Sequence, residues 1–95
     1  MLSYLKGSVV GTQSINSNRV ILVLDVNQVG YEIQVVSRLV SELPKDDELV
    51  QIFTHLNVRE DNMSLFGFSS LAERDLFRQL IAVSGIGHQM AMALI

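Results

Sequence analysis

The feature that most constrains the fold is a succession of short β-prone runs, separated by polar turns, over the first 68 residues. Residues 19–26 are almost all apolar and largely β-branched, which favours a buried strand over a helix. Residues 31–35 alternate apolar and polar side chains, as a half-exposed strand does. Five or more such strands with one helical interruption predict a small closed barrel rather than an open sheet.

The minor elements of this barrel follow from punctuating residues. Gly7, inside the first β-prone run and followed by Gly11, predicts a bulge or a bend at a barrel corner. The remaining predictions are a loop at 12–18, a turn at 27–30, a short helical turn at 37–43 before Pro44, a solvated charged turn at 45–48 and a strand at 49–56.

After Phe68 the hydrophobic period changes from that of strands to that of helices. Ser70 and Glu73 have the spacing of a capping box, and apolar residues then recur at helical spacing up to Val83. The same spacing predicts that Glu73, Arg74, Asp75 and Arg78 lie mostly on the outer face. A helix end is expected near Gly85, and a second, nearly all-apolar helix at 88–95 would need cover on every side, so we expect a fragment of a longer protein.

Composition limits the classes of function. Charged residues are 18% of the chain, against about 25% in ordinary soluble domains, so subunit contacts or missing chain are expected. The net charge of −3 argues mildly against nucleic acid, because nonspecific DNA binding is largely phosphate neutralisation. The chain has no cysteine, no signal peptide and no apolar run approaching about 18 residues, which favours the cytoplasm and no membrane.

A predicted hairpin at residues 58–68 carries two adjacent carboxylates, Glu60 and Asp61, at its tip. Three interpretations are open. The pair is an ordinary solvated turn, a general acid/base pair without a third group to position a substrate, or a device that repels phosphate. A carboxylate about 4 Å from a phosphate costs about 1 kcal/mol even in water.

The segment Ser84-Gly85-Ile86-Gly87 lies between the two helical patterns and is a candidate anion site. Two glycines allow a tight turn, and the following helix begins with unpaired N–H groups that can hold a phosphate without a basic side chain. An ordinary helix corner, with glycines for packing, explains the pattern equally well.

The remaining candidates have mainly structural interpretations. His55 and His88 have no metal-ligand companion at short spacing, although His88 could help to hold an anion at the helix start. The aromatic side chains mostly fall on core-facing positions, and a base-stacking platform is the minority interpretation. No cofactor is expected, and the motifs of nucleotide-binding and nucleophilic sites are absent from the sequence.

With these residues laid out, the chain resembles the RuvA family, the Holliday-junction-binding subunits of the bacterial RuvAB branch-migration complex. The likeness is carried in order by four segments: 29–33, 53–61, 65–68 and 73–87. It implies a mainly β fold with C-terminal α, namely an oligonucleotide-binding (OB) barrel at 1–68 followed at 69–95 by the first helix–hairpin–helix motif of a truncated helical domain. It also implies a non-catalytic homotetramer that binds four-way junction DNA, with RuvC resolvase and the ATP-driven RuvB motor as partners in recombination and repair.

The resemblance also assigns roles to residues. Glu60 and Asp61 correspond to an acidic pin that repels phosphates at the crossover, and Ser84, Gly85, Ile86, Gly87, His88 and Gln89 correspond to backbone phosphate contacts on the junction arms. The family often has proline and lysine where this chain has His88 and Gln89, so the resemblance implies that a phosphate-pairing charge is missing here, and His88 is cationic only conditionally. The rival hypothesis is an oligomerising protein-interaction barrel whose DNA affinity is incidental.

Overall fold

The computed structural model describes residues 1–44, 48–83 and 85–95 of the chain. Five strands form a closed barrel in the order β1-β2-β3-β5-β4. The elements are β1 (Tyr4–Ser14), β2 (Arg19–Val26), β3 (Val29–Val36), α1 (Ser37–Ser41), β4 (Val50–Arg59), β5 (Asn62–Phe68), α2 (Leu71–Ala82) and α3 (His88–Leu94). The mainly β fold with C-terminal helices, predicted from the sequence, is therefore confirmed. No helix among the described residues is long and apolar enough to cross a membrane.

The barrel closes because β1 pairs with two partners. Its first residues pair with β4 from Tyr4 to Gly7, and the remainder pairs with β2 from Ser8 onward. Gly7 therefore lies at the corner predicted for it, while the irregularity in register falls a little later, between Val9 and Gly11. The parallel contact of β3 with β5, at Gln34 and Phe66, completes the ring.

Two boundaries differ from the sequence prediction. Residues 12–14 belong to β1 rather than to a loop, because their backbone pairs with residues 20–22 of β2 despite their polar side chains. The turn predicted at 27–30 is shorter, since Val29 already pairs with Val26. Only Asn27 and Gln28 connect the strands, both with positive φ, as a twisted two-residue hairpin turn requires. The solvated turn predicted at 45–48 lies mostly outside the described residues.

One hydrophobic core joins the barrel to both C-terminal helices. Phe77 of α2 and Ala91 and Met92 of α3 are fully buried with the barrel residues Leu22, Leu24, Ile33, Val35 and Ile52. Ser70 caps α2 as predicted, because its hydroxyl accepts a hydrogen bond from the Glu73 amide at 3.2 Å. The cover expected around α3 is partial, since Met90 and Leu94 are exposed.

The predicted faces of α2 are wrong at two positions. Arg74, expected outside, is buried, and its guanidinium donates to the carbonyl oxygen and the hydroxyl of Ser3 at 3.0 Å each. Leu76, expected inside, is 46% exposed. The amino-terminal residues occupy the side of the helix that the hydrophobic pattern assigned to solvent, and they offer polar partners there.

Candidate nucleic-acid interface

β4 and β5 form a hairpin with Glu60 and Asp61 at its turn, as predicted. The strands pair without interruption from Phe53 opposite Phe68 to Arg59 opposite Asn62, which leaves Glu60 and Asp61 as a two-residue turn. Phe66, Gly67 and Phe68 at the base of β5 are buried, whereas every residue from 58 to 63 is exposed. We call Glu60 and Asp61 the acidic tip. A paired ladder thus ends in an exposed tip that another molecule can reach.

The acidic tip is not neutralised by the charged groups that the structure describes. The ion pairs among the described residues join Arg38 to Glu42, Arg38 to Glu73, and Arg74 to Asp75. None of them includes Glu60 or Asp61. The two carboxylates therefore present their charge to solvent rather than to a buried cation.

The turn between α2 and α3 presents bare backbone to solvent. α2 ends at Ala82, and Gly85 adopts a φ of +88°, a conformation that side chains disfavour. Gly85 and Gly87 are exposed, and a Cβ atom added at either would meet nothing within 4 Å. Ile86, between them, packs against the core and anchors the turn. The fourth predicted residue of this segment, Ser84, lies outside the described residues.

The first amides of α3 lack a side-chain cap. Gly87 occupies the N-cap position, and no side chain bonds to the helix start. The carbonyl of Gly87 accepts from the Ala91 amide at 3.0 Å, so the helix is regular from its first turn. N–H groups at such a start need an acceptor from water or a ligand.

A groove of about 360 Å³ joins the base of the hairpin to this turn. We call it the hairpin groove. It is lined by Asn57, Arg59, Asn62, Ser64, Phe66, Gly87, His88 and Gln89. The lining combines one guanidinium with amides, a hydroxyl and an imidazole, which are donors for an anion, and it contains no carboxylate. Gly87, His88 and Gln89 therefore meet the hairpin, while the acidic tip lies beyond the groove, one residue past Arg59.

An aromatic cluster forms the floor beneath His88. The His88 ring stacks on Phe66, with centroids 5.2 Å apart and planes at 22°. Phe77 lies 5.7 Å away and His55 5.8 Å away, again between ring centroids. The sequence predicted mainly structural roles for both histidines. They share one aromatic cluster, and His88 also lines the groove.

Both imidazoles are held towards the neutral form. Burial lowers the pKa of His55 below its ordinary value of 6.5, helped by the positive charge of Arg78 and by His88 and Arg74. The Nδ1 atom of His55 accepts a hydrogen bond from the Nε of Arg78 at 3.2 Å, which needs the neutral ring. Burial, with Arg59 as the second cause, lowers the pKa of His88.

The hairpin side of the groove was not predicted from the sequence. Asn57 pairs with Ser64, and Arg59 pairs with Asn62, so these four side chains share one face of the hairpin. The signal was the alternation of polar residues at 57, 59, 62 and 64 along the two strands. This alternation predicts a shared polar face once the hairpin is assigned. The other wall of the groove, Gly87–Gln89, comes from a later segment that the alternation does not reveal. No cluster of metal-ligating side chains occurs among the residues that the structure describes.

The fold and the groove define the class as an OB-type barrel with an appended helical hairpin and a candidate nucleic-acid surface between them. The family model described as the RuvA N terminal domain matches residues 1–67. The chain belongs to this family, as its sequence resemblance predicted.

Similar proteins extend the likeness through the helices. Over the whole chain it is 60% identical to the Holliday junction branch migration complex subunit RuvA of Acaryochloris marina (strain MBIC 11017) and 58% identical to that of Nostoc sp. (strain PCC 7120 / SAG 25.82 / UTEX 2576). The identity to the protein of the same name from Microcystis aeruginosa (strain NIES-843 / IAM M-2473) is 49% over 96 residues. The chain spans 46%, 45% and 46% of these relatives, so it corresponds to less than half of their length.

Proposed function

We propose that this chain is the junction-binding part of a non-catalytic subunit that holds a Holliday junction open during branch migration. The observation that carries the proposal is the exposed acidic tip beside a carboxylate-free groove rich in hydrogen-bond donors. A repelling element next to an accepting one favours DNA whose phosphates diverge at a centre over a plain duplex. The names of the relatives support this assignment.

In this proposal Glu60 and Asp61 act as the pin at the crossover. Each carboxylate about 4 Å from a phosphate costs about 1 kcal/mol in water, and several copies around an axis add their effects. Strands near the centre are therefore kept apart. The hairpin ladder supports the role because it ends in a two-residue turn whose charges are exposed.

The arms of the junction are held by phosphate contacts at Ser84, Gly85, Ile86, Gly87, His88 and Gln89. Support comes from the exposed glycines, the uncapped start of α3 and the position of Gly87–Gln89 in the hairpin groove. Backbone N–H groups bind phosphate oxygens without adding net charge, which reconciles DNA binding with a chain of charge −3.

The proposed assembly is a cytoplasmic homotetramer that works with RuvB, which supplies ATP hydrolysis, and with RuvC. We divide the chain into a barrel domain at 1–68 and the start of a helical domain at 69–95. The family model ends at residue 67, and the last strand ends at Phe68. Exposed apolar side chains such as Val29, Leu49 and Met63 are available for contacts between subunits.

Competition between a four-way junction and a plain duplex of equal length tests the function. The full-length protein that carries this chain is titrated against labelled junction, with each DNA as competitor in gel-shift experiments. We expect the junction to compete at least tenfold better, a free-energy difference of about 1.4 kcal/mol, because the acidic tip repels the phosphates of a continuous duplex. Equal competition by the duplex would contradict the proposal.

Removing the charges of the acidic tip tests the pin. The double variant Glu60→Gln with Asp61→Asn should lose most of the preference for junctions, because the repulsion that excludes continuous duplex disappears. Affinity for duplex should rise. The preference is measured as the ratio of the two dissociation constants at fixed salt.

The matched control is Glu42→Gln with Glu48→Gln, which removes two exposed carboxylates outside the hairpin and the grooves beside it. It changes the net charge equally, so it should raise both affinities slightly and leave their ratio unchanged. An equal loss of preference in the two double variants would assign the effect to net charge and refute the pin.

The second candidate function is a protein-interaction barrel with incidental DNA affinity, favoured by the exposed apolar side chains. A salt titration separates the two. Site-specific phosphate binding predicts a linear fall of log affinity with log salt concentration for the junction. If the DNA affinity is incidental, junction and duplex should weaken together with one slope.

A further inference from the structure

His88 stands between the aromatic cluster and the hairpin groove. One side of its ring lies on Phe66, 5.2 Å between centroids, with His55 and Phe77 also within 6 Å. The residue also lines the groove, opposite the hairpin residue Arg59. A phosphate entering the groove would meet an imidazole whose orientation is fixed by its stacking on Phe66.

The groups around His88 oppose a second positive charge while the groove holds no anion. Arg59 and His55 face it from β4, and Arg78 and Arg74 of α2 lie behind His55. Asn62, Ser64 and Phe66 of β5 carry no charge, and the carboxylates of the hairpin are at the turn, outside the groove lining. Burial, with the positive charge of Arg59 as the second cause, holds the pKa of His88 below 6.5.

His55 does not compete for the proton. Its Nδ1 lone pair accepts the Arg78 guanidinium at 3.2 Å, and protonation there would replace an acceptor by a donor facing a cation. His88 has no hydrogen-bond partner of this kind among the described side chains. An incoming proton therefore goes to His88.

We propose that His88 binds nucleic-acid phosphate together with one proton taken up from solvent, so that DNA affinity at this site rises as the pH falls. The inference rests on the proposed function and adds its regulation. The phosphate places a negative charge between Arg59 and His88. The imidazolium N–H can then donate a charge-assisted hydrogen bond to a phosphate oxygen.

Linkage fixes the sign and the size of the effect. If phosphate favours the protonated ring, the protonated ring favours phosphate by the same factor. Between the pKa of the free protein, below 6.5, and the higher pKa of the complex, each site takes up close to one proton. Affinity per site should then rise by up to about tenfold for each unit by which the pH is lowered.

The test is the binding of a short plain duplex, measured by fluorescence anisotropy at constant ionic strength from about pH 8 to about pH 6, across the ordinary range of histidine. Wild-type affinity should increase towards low pH. His88→Gln keeps a polar side chain but cannot be cationic, so its affinity should be independent of pH and match the wild type at high pH. His88→Lys should bind tightly and equally at every pH.

His55→Gln is the matched control, and it should retain the pH dependence of the wild type. Loss of the dependence in His55→Gln but not in His88→Gln would assign the proton to His55 and overturn the proposal. So would a wild-type affinity that does not change with pH.

An NMR titration gives a readout that does not depend on the variants. The Cε1–H signal of His88 in the wild-type protein should titrate below 6.5 without DNA and at a higher pH with it. An unchanged pKa would refute the inference. Because the probe is plain duplex, a failure here leaves the junction preference intact, and equal affinity for junction and duplex leaves the proton linkage intact.

Discussion

Two glycines of the barrel, Gly7 and Gly67, and the two of the turn between α2 and α3 serve opposite purposes. A Cβ atom at Gly7 would overlap the carbonyl oxygen of Asp25, and one at Gly67 would lie 2.6 Å and 2.7 Å from methyl groups of Ile33 and Ile52. At Gly85 and Gly87 a Cβ atom would meet no heavy atom within 4 Å. At Gly7 and Gly67, glycine is present because another part of the chain occupies the space. In the turn the space is empty.

The difference separates stability from binding. A closed barrel of five strands brings chain segments so close that a single methyl group decides whether they fit. The glycines of the turn are not closely packed, so they keep the backbone accessible to a ligand. Substitutions in the first region should lower the free energy of unfolding, and those in the second should lower affinity for DNA.

The largest effect is expected for Gly7→Ala. The methyl group must displace the backbone of β2 at the barrel corner, and overpacking of this kind costs about 1–3 kcal/mol or more. Urea denaturation measures the free energy of unfolding. Gly11→Ala is the control, because its Cβ meets nothing within 4 Å and its φ is not positive. Equal stability of the two variants would contradict the comparison.

A smaller effect on stability, but a clear one on DNA binding, is expected in the turn. Gly85→Ala should cost about 1–2 kcal/mol through its positive φ alone. The residue at 87 has a φ of −88°, so the free energy of unfolding of Gly87→Ala should lie within about 0.5 kcal/mol of the wild-type value. Its affinity for duplex should nevertheless fall, because the methyl group faces the proposed phosphate. Anisotropy and urea titrations on the same samples separate the two quantities, and an unaltered affinity of Gly87→Ala would argue against backbone contacts there.

The smallest effect concerns the two histidines, one on each side of the comparison. The pKa of folded His55 lies below 6.5, so the unfolded chain binds more protons as the pH falls past 6.5. The contribution of His55 to the free energy of unfolding should therefore be fully present above pH 6.5. It should decline below that pH until the folded-state pKa is reached.

His55→Gln should flatten this decline in urea titrations between about pH 7 and about pH 5.5, around the ordinary pKa of histidine. His88→Gln is the matched control. Its free energy of unfolding should still decline on acidification, because His55 is intact. A wild-type stability that rises on acidification across this interval would contradict the sign.

Local pattern was enough for the elements whose partners are near in sequence. The β4–β5 hairpin and the cap of α2 at Ser70 depend on neighbours within a few positions, and both were predicted. The polar residues 12–14 were read as a loop because their side chains face solvent, although their backbone completes a ladder. Side-chain polarity carries no information about that pairing.

The contacts across the molecule were beyond sequence reasoning. Arg74 was assigned to solvent because the helical spacing of the apolar residues put it on the opposite face, yet its guanidinium bonds to Ser3. The hairpin groove could not be predicted for the same reason, since Arg59 and His88 come from separate elements. Only the closed barrel decides which of its faces receives the last helix.

The bond from Arg74 to Ser3 has a consequence for synthesis on the ribosome. The first strand emerges early but finds its closing partner β4 only after residue 50 has been made, and its last tether only after Arg74 follows. Until β4 has been made, the nascent barrel is an open ribbon with β1 at a free edge. A pause of the ribosome before β4 would prolong the interval in which that edge is free to pair with another chain.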